Sequence, residues 1–172
     1  SNDTIGLGPT AATTDYVELY NTSDQTVDLS GYGLSDSIGR PRKWQFPQGT
    51  AITPGEYKII YLDGQSELST VTDLHTNFSI TRAGGETICF CDPTGRVLDR
   101  LPLSMIPTDH SYGRTIGQSG FYYYDVPTPG AENGTGYYGY TPKPSLSLPG
   151  GEYKGEIEVT INVPEGTVVY YT

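Results

Sequence analysis

Apolar and polar side chains alternate at the start of the first patterned stretch of this chain. From Asp15 to Tyr20, Val17 and Leu19 fall on one side, and Tyr16, Glu18 and Tyr20 on the other. A period of two marks a strand with one buried face. Asn21 to Gln25 are turn formers, whose short polar side chains bond their own backbone. Val27 and Leu29 resume the alternation, Ser30-Gly31 turns it, and Tyr32 and Leu34 close a unit that ends at Asp36. Val17, Leu19, Val27, Leu29 and Leu34 are its expected core residues.

The same pattern continues downstream. Residues 1–14 are small, polar and Gly/Pro-containing, an irregular lead-in. After a loop from Ser35 to Arg42, Trp44 and Phe46 alternate out of a short strand, and Thr53-Pro54-Gly55 turns the chain. Tyr57 to Leu62 carries apolar bulk on both faces and reads as a central strand. Gln65 to His75 has a weak helical spacing (Leu68, Val71, Leu74), but its Ser/Thr content points to a loop or one short turn. From Asn77 to Leu101 the pattern predicts a strand, a turn at Ala83-Gly84-Gly85, a strand, a hairpin turn at Asp92 to Gly95, and a strand. SYGRT and GFYYYDV add two more before a PTPGAENG tail. Strands recurring about every ten residues with turns between them suggest a sandwich or a barrel.

A composition break falls at Gly134 to Lys143, rich in Gly and Tyr and ending Thr-Pro-Lys-Pro. Beyond it, Ile157, Val159, Ile161 and Val163 alternate with Glu156, Glu158, Thr160 and Asn162, and a turn at Pro164 to Gly166 leads into TVVYYT. Some three strands are too few to bury a face independently. The expected organisation is a β module over 1–134, a linker over 135–143, and a partial second β domain, a short hairpin or meander, over 144–172. The strand Glu156 to Val163 is expected to be covered by the first module or by another copy. The ends, polar loop at Ser1-Asn2 and strand pattern at Tyr170-Tyr171-Thr172, read as those of a piece of a longer protein.

Composition fits an all-β chain: 22 Gly and 13 Pro punctuate runs rich in Tyr, which occurs 15 times in 172 residues. Tyr suits a pleated surface with one apolar flank and one wet end. Acidic residues outnumber basic ones 20 to 10, a formal charge of −10. That field opposes nucleic acid and anionic membrane as partners. No apolar run approaches the roughly 20 residues of a membrane helix, so no membrane insertion is expected. Cys89 and Cys91 lie two apart and project from one face of a strand, which fits two buried thiols better than a disulfide or a zinc site.

Several segments together carry a resemblance. The E-L-Y-N strand, V-D-L-S-G, the W-x-F-P corner, the P-G-E-Y strand, G-G-E-T, the D-P-x-G hairpin, S-Y-G-R and the closing T-P-G-x-x-N occur in this order between Asp15 and Asn133. This resembles the lamin tail domain in its bacterial form. The resemblance implies an immunoglobulin-like β-sandwich, without catalytic residues of its own, carried by secreted or surface proteins. It also implies an additional first strand, of which only Ser1-Asn2 remains here, so one sheet is expected to have an open edge. The segment PSLSLPGGEYKGEIEVTINVPEGTVVYYT is similar to the start of a chitobiase C-terminal-type β-sandwich repeat.

Candidate chemistry is sparse. Asp109-His110-Ser111 holds three triad residue types, but adjacent residues do not converge as a relay requires. Asp24 with Asp28, or Asp36 with loop carbonyls, are oxygen donors of the kind calcium takes; without a D-x-D-x-D-G loop they read as Asx turns and solvated charges. No metal and no cofactor is expected. Glu18 is expected to pair with Arg114 as a structural ion pair, and Trp44 and Phe46 to pack in core and corner. The ligand-binding candidates are tyrosines near the end of the module: Tyr122, Tyr124, Tyr137 and Tyr138. Aromatic rings of this kind stack on sugars and anchor interfaces. Asn21, Asn77 and Asn133 head Asn-x-Ser/Thr triplets read as exposed.

The expected protein is a non-catalytic extracellular or cell-surface interaction and scaffolding module. The alternatives are carbohydrate binding through exposed tyrosines, or an accessory domain of an enzyme catalysing elsewhere in the polypeptide. The expected partners are a protein or cell-surface glycan, neighbouring domains, and another copy through the C-terminal strands.

Overall fold

In the computed structural model, which describes residues 2–7, 13–141 and 143–170, the alternating stretch folds as strand β1 (Tyr16–Tyr20). It is followed by β2 (Val27–Asp28), β3 (Gly33–Ser35), β4 (Trp44–Gln45), β5 (Ala51–Ile52) and β6 (Tyr57–Tyr61). Then come β7 (Leu74–His75), β8 (Thr87–Cys91), β9 (Val97–Pro102), β10 (Ser111–Gly113) and β11 (Tyr122–Tyr124). The described residues form no α-helix; Ser66–Leu68 makes a single 3-10 turn.

These strands build an immunoglobulin-like β-sandwich. One sheet has the order β1-β6-β7, with β6 in the middle, antiparallel to β1 and parallel to β7. A second has the order β4-β3-β8-β9, all antiparallel, while β2-β5 and β10-β11 form separate two-stranded antiparallel pairs. Leu34, Trp44 and Ile88 from the four-stranded sheet share one buried core with Ile60 and Leu74 from the three-stranded sheet. Leu29, Phe46, Ile52, Leu62, Phe78 and Leu103 complete it. Burying each such side chain stabilises the fold by about 1.5–3 kcal/mol. Val17, Leu19 and Val27 pack on this core only partly buried.

The local differences from the sequence reading have physical causes. The strand expected from Asn77 onward does not form; Phe78 is buried, but Thr76 Oγ1 donates to the Phe78 carbonyl (2.6 Å) and Thr81 N–H to Glu86 (2.7 Å), which turns the backbone away from a ladder. The lead-in is irregular yet fastened. Asn2 donates to the carbonyls of Ile5 (2.7 Å) and Thr14 (3.1 Å), and Asp109 accepts from the amides of Asp3 and Thr4 (2.8 and 3.0 Å). Residues 8–12 of the lead-in lie outside the described residues.

The first compact unit runs Ser1–Tyr137 and the second Tyr138–Thr172. Tyr137 belongs to the first because its amide and carbonyl both bond Tyr123, at 3.0 and 2.9 Å. In the second unit β12 (Ser145–Leu146) pairs antiparallel with β13 (Ile161–Asn162). The alternation from Glu156 to Val163 yields only those two strand residues. Ile157, Val159 and Ile161 are 45, 43 and 37 % exposed. Among the described residues the unit forms one two-residue pairing and no second layer.

Candidate functional site

The long recess of the sandwich runs along β1. Asp15 accepts from the Leu62 amide (2.8 Å) and the Asn21 amide donates to Glu56 (3.1 Å), so the odd-numbered residues between them bond β6. By the alternation of an antiparallel ladder, the amides and carbonyls of Tyr16, Glu18 and Tyr20 point away from β6. Among the described residues, no main-chain hydrogen bond meets that outer edge. A half-open groove of about 610 Å³ is lined by every residue from Asp15 to Thr22. Consecutive strand residues point to opposite faces, so a groove touching all of them follows the strand edge. Its apolar walls include Val17, Leu19, Leu101 and Ile106, all only partly buried.

Glu18 and Arg114 both line this groove, but they do not pair. Arg114 forms two parallel bonds to Asp99, at 2.6 and 2.7 Å, and lies over the Phe121 ring at 4.5 Å. Asp99 projects from the edge strand β9 and claims the guanidinium first, holding its own carboxyl below the usual range chiefly through those bonds. Glu18 instead accepts the Gly130 amide at 2.7 Å. Burial raises the Glu18 pKa, and the Gly130 bond opposes that only in part. Tyr16 beside it is pushed up to about 12 by burial and by the Glu18 charge.

The tyrosine cluster is packing for the most part. Tyr122 and Tyr124 are 8 and 1 % exposed, which corrects their reading as outward-facing rings. The Tyr122 hydroxyl donates to the Ser119 carbonyl (3.2 Å), and the Tyr124 hydroxyl shares a hydrogen bond with Thr115 (2.8 Å). Tyr123 bonds Ser104 through its hydroxyl and stacks on Tyr137. All three rings of β11 are therefore buried: Gly136-Tyr137 returns alongside the strand and pairs with Tyr123, and a Cβ at Gly136 would sit 2.7 Å from both Tyr122 and Tyr124. Tyr137 is half-buried, while Tyr138, in the second unit, is 81 % exposed.

The other candidates have separate partners. Trp44 and Phe46 are buried edge to face, 4.7 Å apart. Asp109 is taken up by the lead-in, and His110 Nδ1 bonds the Thr108 carbonyl at 2.8 Å. Asp28 bonds Ser30 (2.8 Å), Asp36 pairs with Lys43 (2.7 Å), and among the described residues no group of three His, Cys, Asp or Glu is placed to hold a metal. Cys89 and Cys91 are free and buried, and burial pushes both thiols up. Asn21 is buried rather than exposed, and Asn77 and Asn133 spend their amides on the Lys43 and Arg114 carbonyls.

Two clusters went unread in the sequence. Asn21 donates to the Gln25 and Ile52 carbonyls (2.8 and 3.0 Å) and accepts from Ser23 N–H and Oγ (3.0 and 2.8 Å). His75 sits between Asp63 (2.7 Å) and Asp73 (3.5 Å). Only the turn-forming run after Tyr20 pointed to the first; the partners of His75 lie across a region without clear periodicity.

The motif-bearing strands β1 to β9 are also where the chain matches a known family: residues 3–103, more than half of its length, fit the model described as Lamin Tail Domain. The chain belongs to the lamin tail domain family. Comparison with curated proteins and with solved structures finds no match. The matched part of this lamin tail domain holds both walls formed by β1 and β9. Arg114, the tyrosines of β11 and the whole second unit lie outside it.

Proposed function

We propose that the chain is a non-catalytic interaction module of a larger bacterial surface or secreted protein, binding a protein partner and positioning its neighbours. The observation that carries this reading is the lamin tail sandwich with a free strand edge opening on an apolar groove. That is a recognition surface; Asp109 bonds the lead-in, His110 the Thr108 carbonyl and Asp99 the Arg114 guanidinium, each in a separate structural contact. The second unit is the start of a chitobiase C-terminal-type repeat. Its P-x-x-S and Y-Y-T segments support this, as does the antiparallel pairing of Ser145–Leu146 with Ile161–Asn162. The test immobilises the full chain and exposes it in parallel to surface proteins from its source and to a glycan array. Saturable retention of a protein, with no glycan retained, supports the reading. Glycan binding lost in Tyr138→Ala would replace it with carbohydrate recognition, which the 81 % exposure of that ring favours.

A further inference from the structure

We infer that the outer edge of β1 takes up an extended segment of a protein partner whose apolar residues alternate with lysine or arginine, added as a fourth strand to the β1-β6-β7 sheet. This rests on the interaction-module reading and names its site and the chemistry of its partner.

Three observations converge. The first is the edge itself. Strand edges are normally blunted by brevity, by proline or by charges. The edge strands β4 and β7 have two residues each, and β9 carries Asp99, Arg100 and Pro102. β1 is five residues long, with Glu18 its single charge, and it presents the outward amides and carbonyls of Tyr16, Glu18 and Tyr20. Adding a strand satisfies such a row, with affinity from main-chain bonds and specificity from alternate side chains.

The second is the groove beside it. Every other side chain of an added strand would turn inward onto Val17, Leu19, Leu101 and Ile106, which the sandwich leaves partly uncovered. The volume, about 610 Å³, is that of a binding site rather than a packing defect.

The third is charge, and it selects the intervening residues. A residue paired opposite Glu18 emerges on the same outer face, beside a half-buried carboxylate whose hydrogen bond comes from a neutral amide. Glu132 lies near enough, together with Glu18, to raise the Tyr57 pKa along with burial and Tyr20. A cation there gains a pairing, and the −10 net charge steers it in. The chain's own exposed alternating segment is disfavoured, because it would bring Glu156 and Glu158 toward Glu18.

The experiment adds the synthetic peptides Ac-KVKIKVK-NH2 and Ac-EVEIEVE-NH2 to the full chain, reading affinity by calorimetry and site by amide hydrogen exchange. The lysine peptide is expected to bind and to slow exchange at Tyr16, Glu18 and Tyr20. Glu18→Gln, which keeps an acceptor for Gly130, should weaken it about fivefold, the worth of one partly buried pair. Binding without protection of those amides, equal binding by Glu18→Gln, or no binding by either peptide overturns the proposal. So does protection that rises with protein concentration alone, which would make a second copy the occupant. A chain that still retains a surface protein while ignoring both peptides keeps the module reading and loses this edge as its site.

Discussion

Replacing Asn21 by alanine tests what holds the β1 hairpin in register. The side chain ties three points together: the turn at Ser23, the Gln25 carbonyl, and the Ile52 carbonyl on β5. Its own amide and carbonyl bond Glu56 and Gly55, so the residue sits where two turns meet. In Asn21→Ala the groups at Ser23 and Gln25 recover water, because they are at the surface. The Ile52 carbonyl, in a buried bond of 3.0 Å, does not. Leaving one such acceptor unsatisfied costs about 1–3 kcal/mol, and the partial loss of the others brings the total to about 2–4 kcal/mol. For a domain of this size that lowers Tm by about 5–15 °C. The assay is urea unfolding followed by Trp44 fluorescence, since the single tryptophan is buried in the sandwich core. The midpoint should fall with the slope unchanged. Asn21→Asp keeps the acceptor for Ser23 but aims a carboxylate at two carbonyl oxygens, so it should be at least as unstable as the alanine variant at neutral pH and recover in acid. A loss under about 1 kcal/mol in Asn21→Ala, or wild-type stability of Asn21→Asp at neutral pH, would refute the argument.

Three further outcomes follow from the geometry. A Cβ at Gly33 would sit 2.6 Å from Cys91 Sγ and 2.9 Å from the Pro41 carbonyl; Gly33→Ala should destabilise by about 1–3 kcal/mol in the same unfolding assay, and adding Cys91→Ala should recover only part of that. Arg114→Ala removes the bonds to Asp99; both partners are about half exposed, so the loss is only about 0.5–1 kcal/mol. Because the Asp99 pKa is lowered, that contribution is present above its ordinary value of 3.8 and vanishes as pH falls through the lower folded value, which paired unfolding curves from pH 7 downward will show. For His75, burial opposes the charged ring, but Asp63 and Asp73 outweigh it and raise the pKa. The stability lost in His75→Gln should therefore be largest below 6.5 and fade as pH rises through the higher folded value, a profile that NMR titration of the ring can match. A flat profile across that window would disprove the role of the two carboxylates.

What the sequence could tell divides along a physical line. Val17, Leu19, Leu29 and Leu34 were legible because one buried face imposes a period of two on contiguous residues. The central place of β6 was legible for a related reason: both its faces are apolar. Arg114 was misassigned because pairing depends on which carboxylate the topology delivers. Asp99 arrives from the edge strand β9 two bonds strong, and no local pattern announces it. The tyrosines failed for a different reason. A run of adjacent rings on a strand implies one exposed face only if a single layer lies against it. Here Tyr122, Tyr123 and Tyr124 are all buried; Gly136-Tyr137 pairs alongside Tyr123, and the lack of a side chain at Gly136 lets the backbone come close to Tyr122 and Tyr124. Alternation also overpredicted the strand at Ile157 to Val163, where two residues pair. Periodicity specifies the faces of a strand, but a strand persists only where a neighbour takes up its hydrogen bonds. β1 and the Glu156–Val163 segment stand on opposite sides of that condition: β1 has β6 along one edge and is complete as a strand, while its second edge meets no main-chain hydrogen bond among the described residues. That asymmetry is why the groove beside β1, and not the exposed tyrosine ring or the acidic C-terminal segment, is the surface we infer for a partner: it offers both backbone bonds and apolar burial.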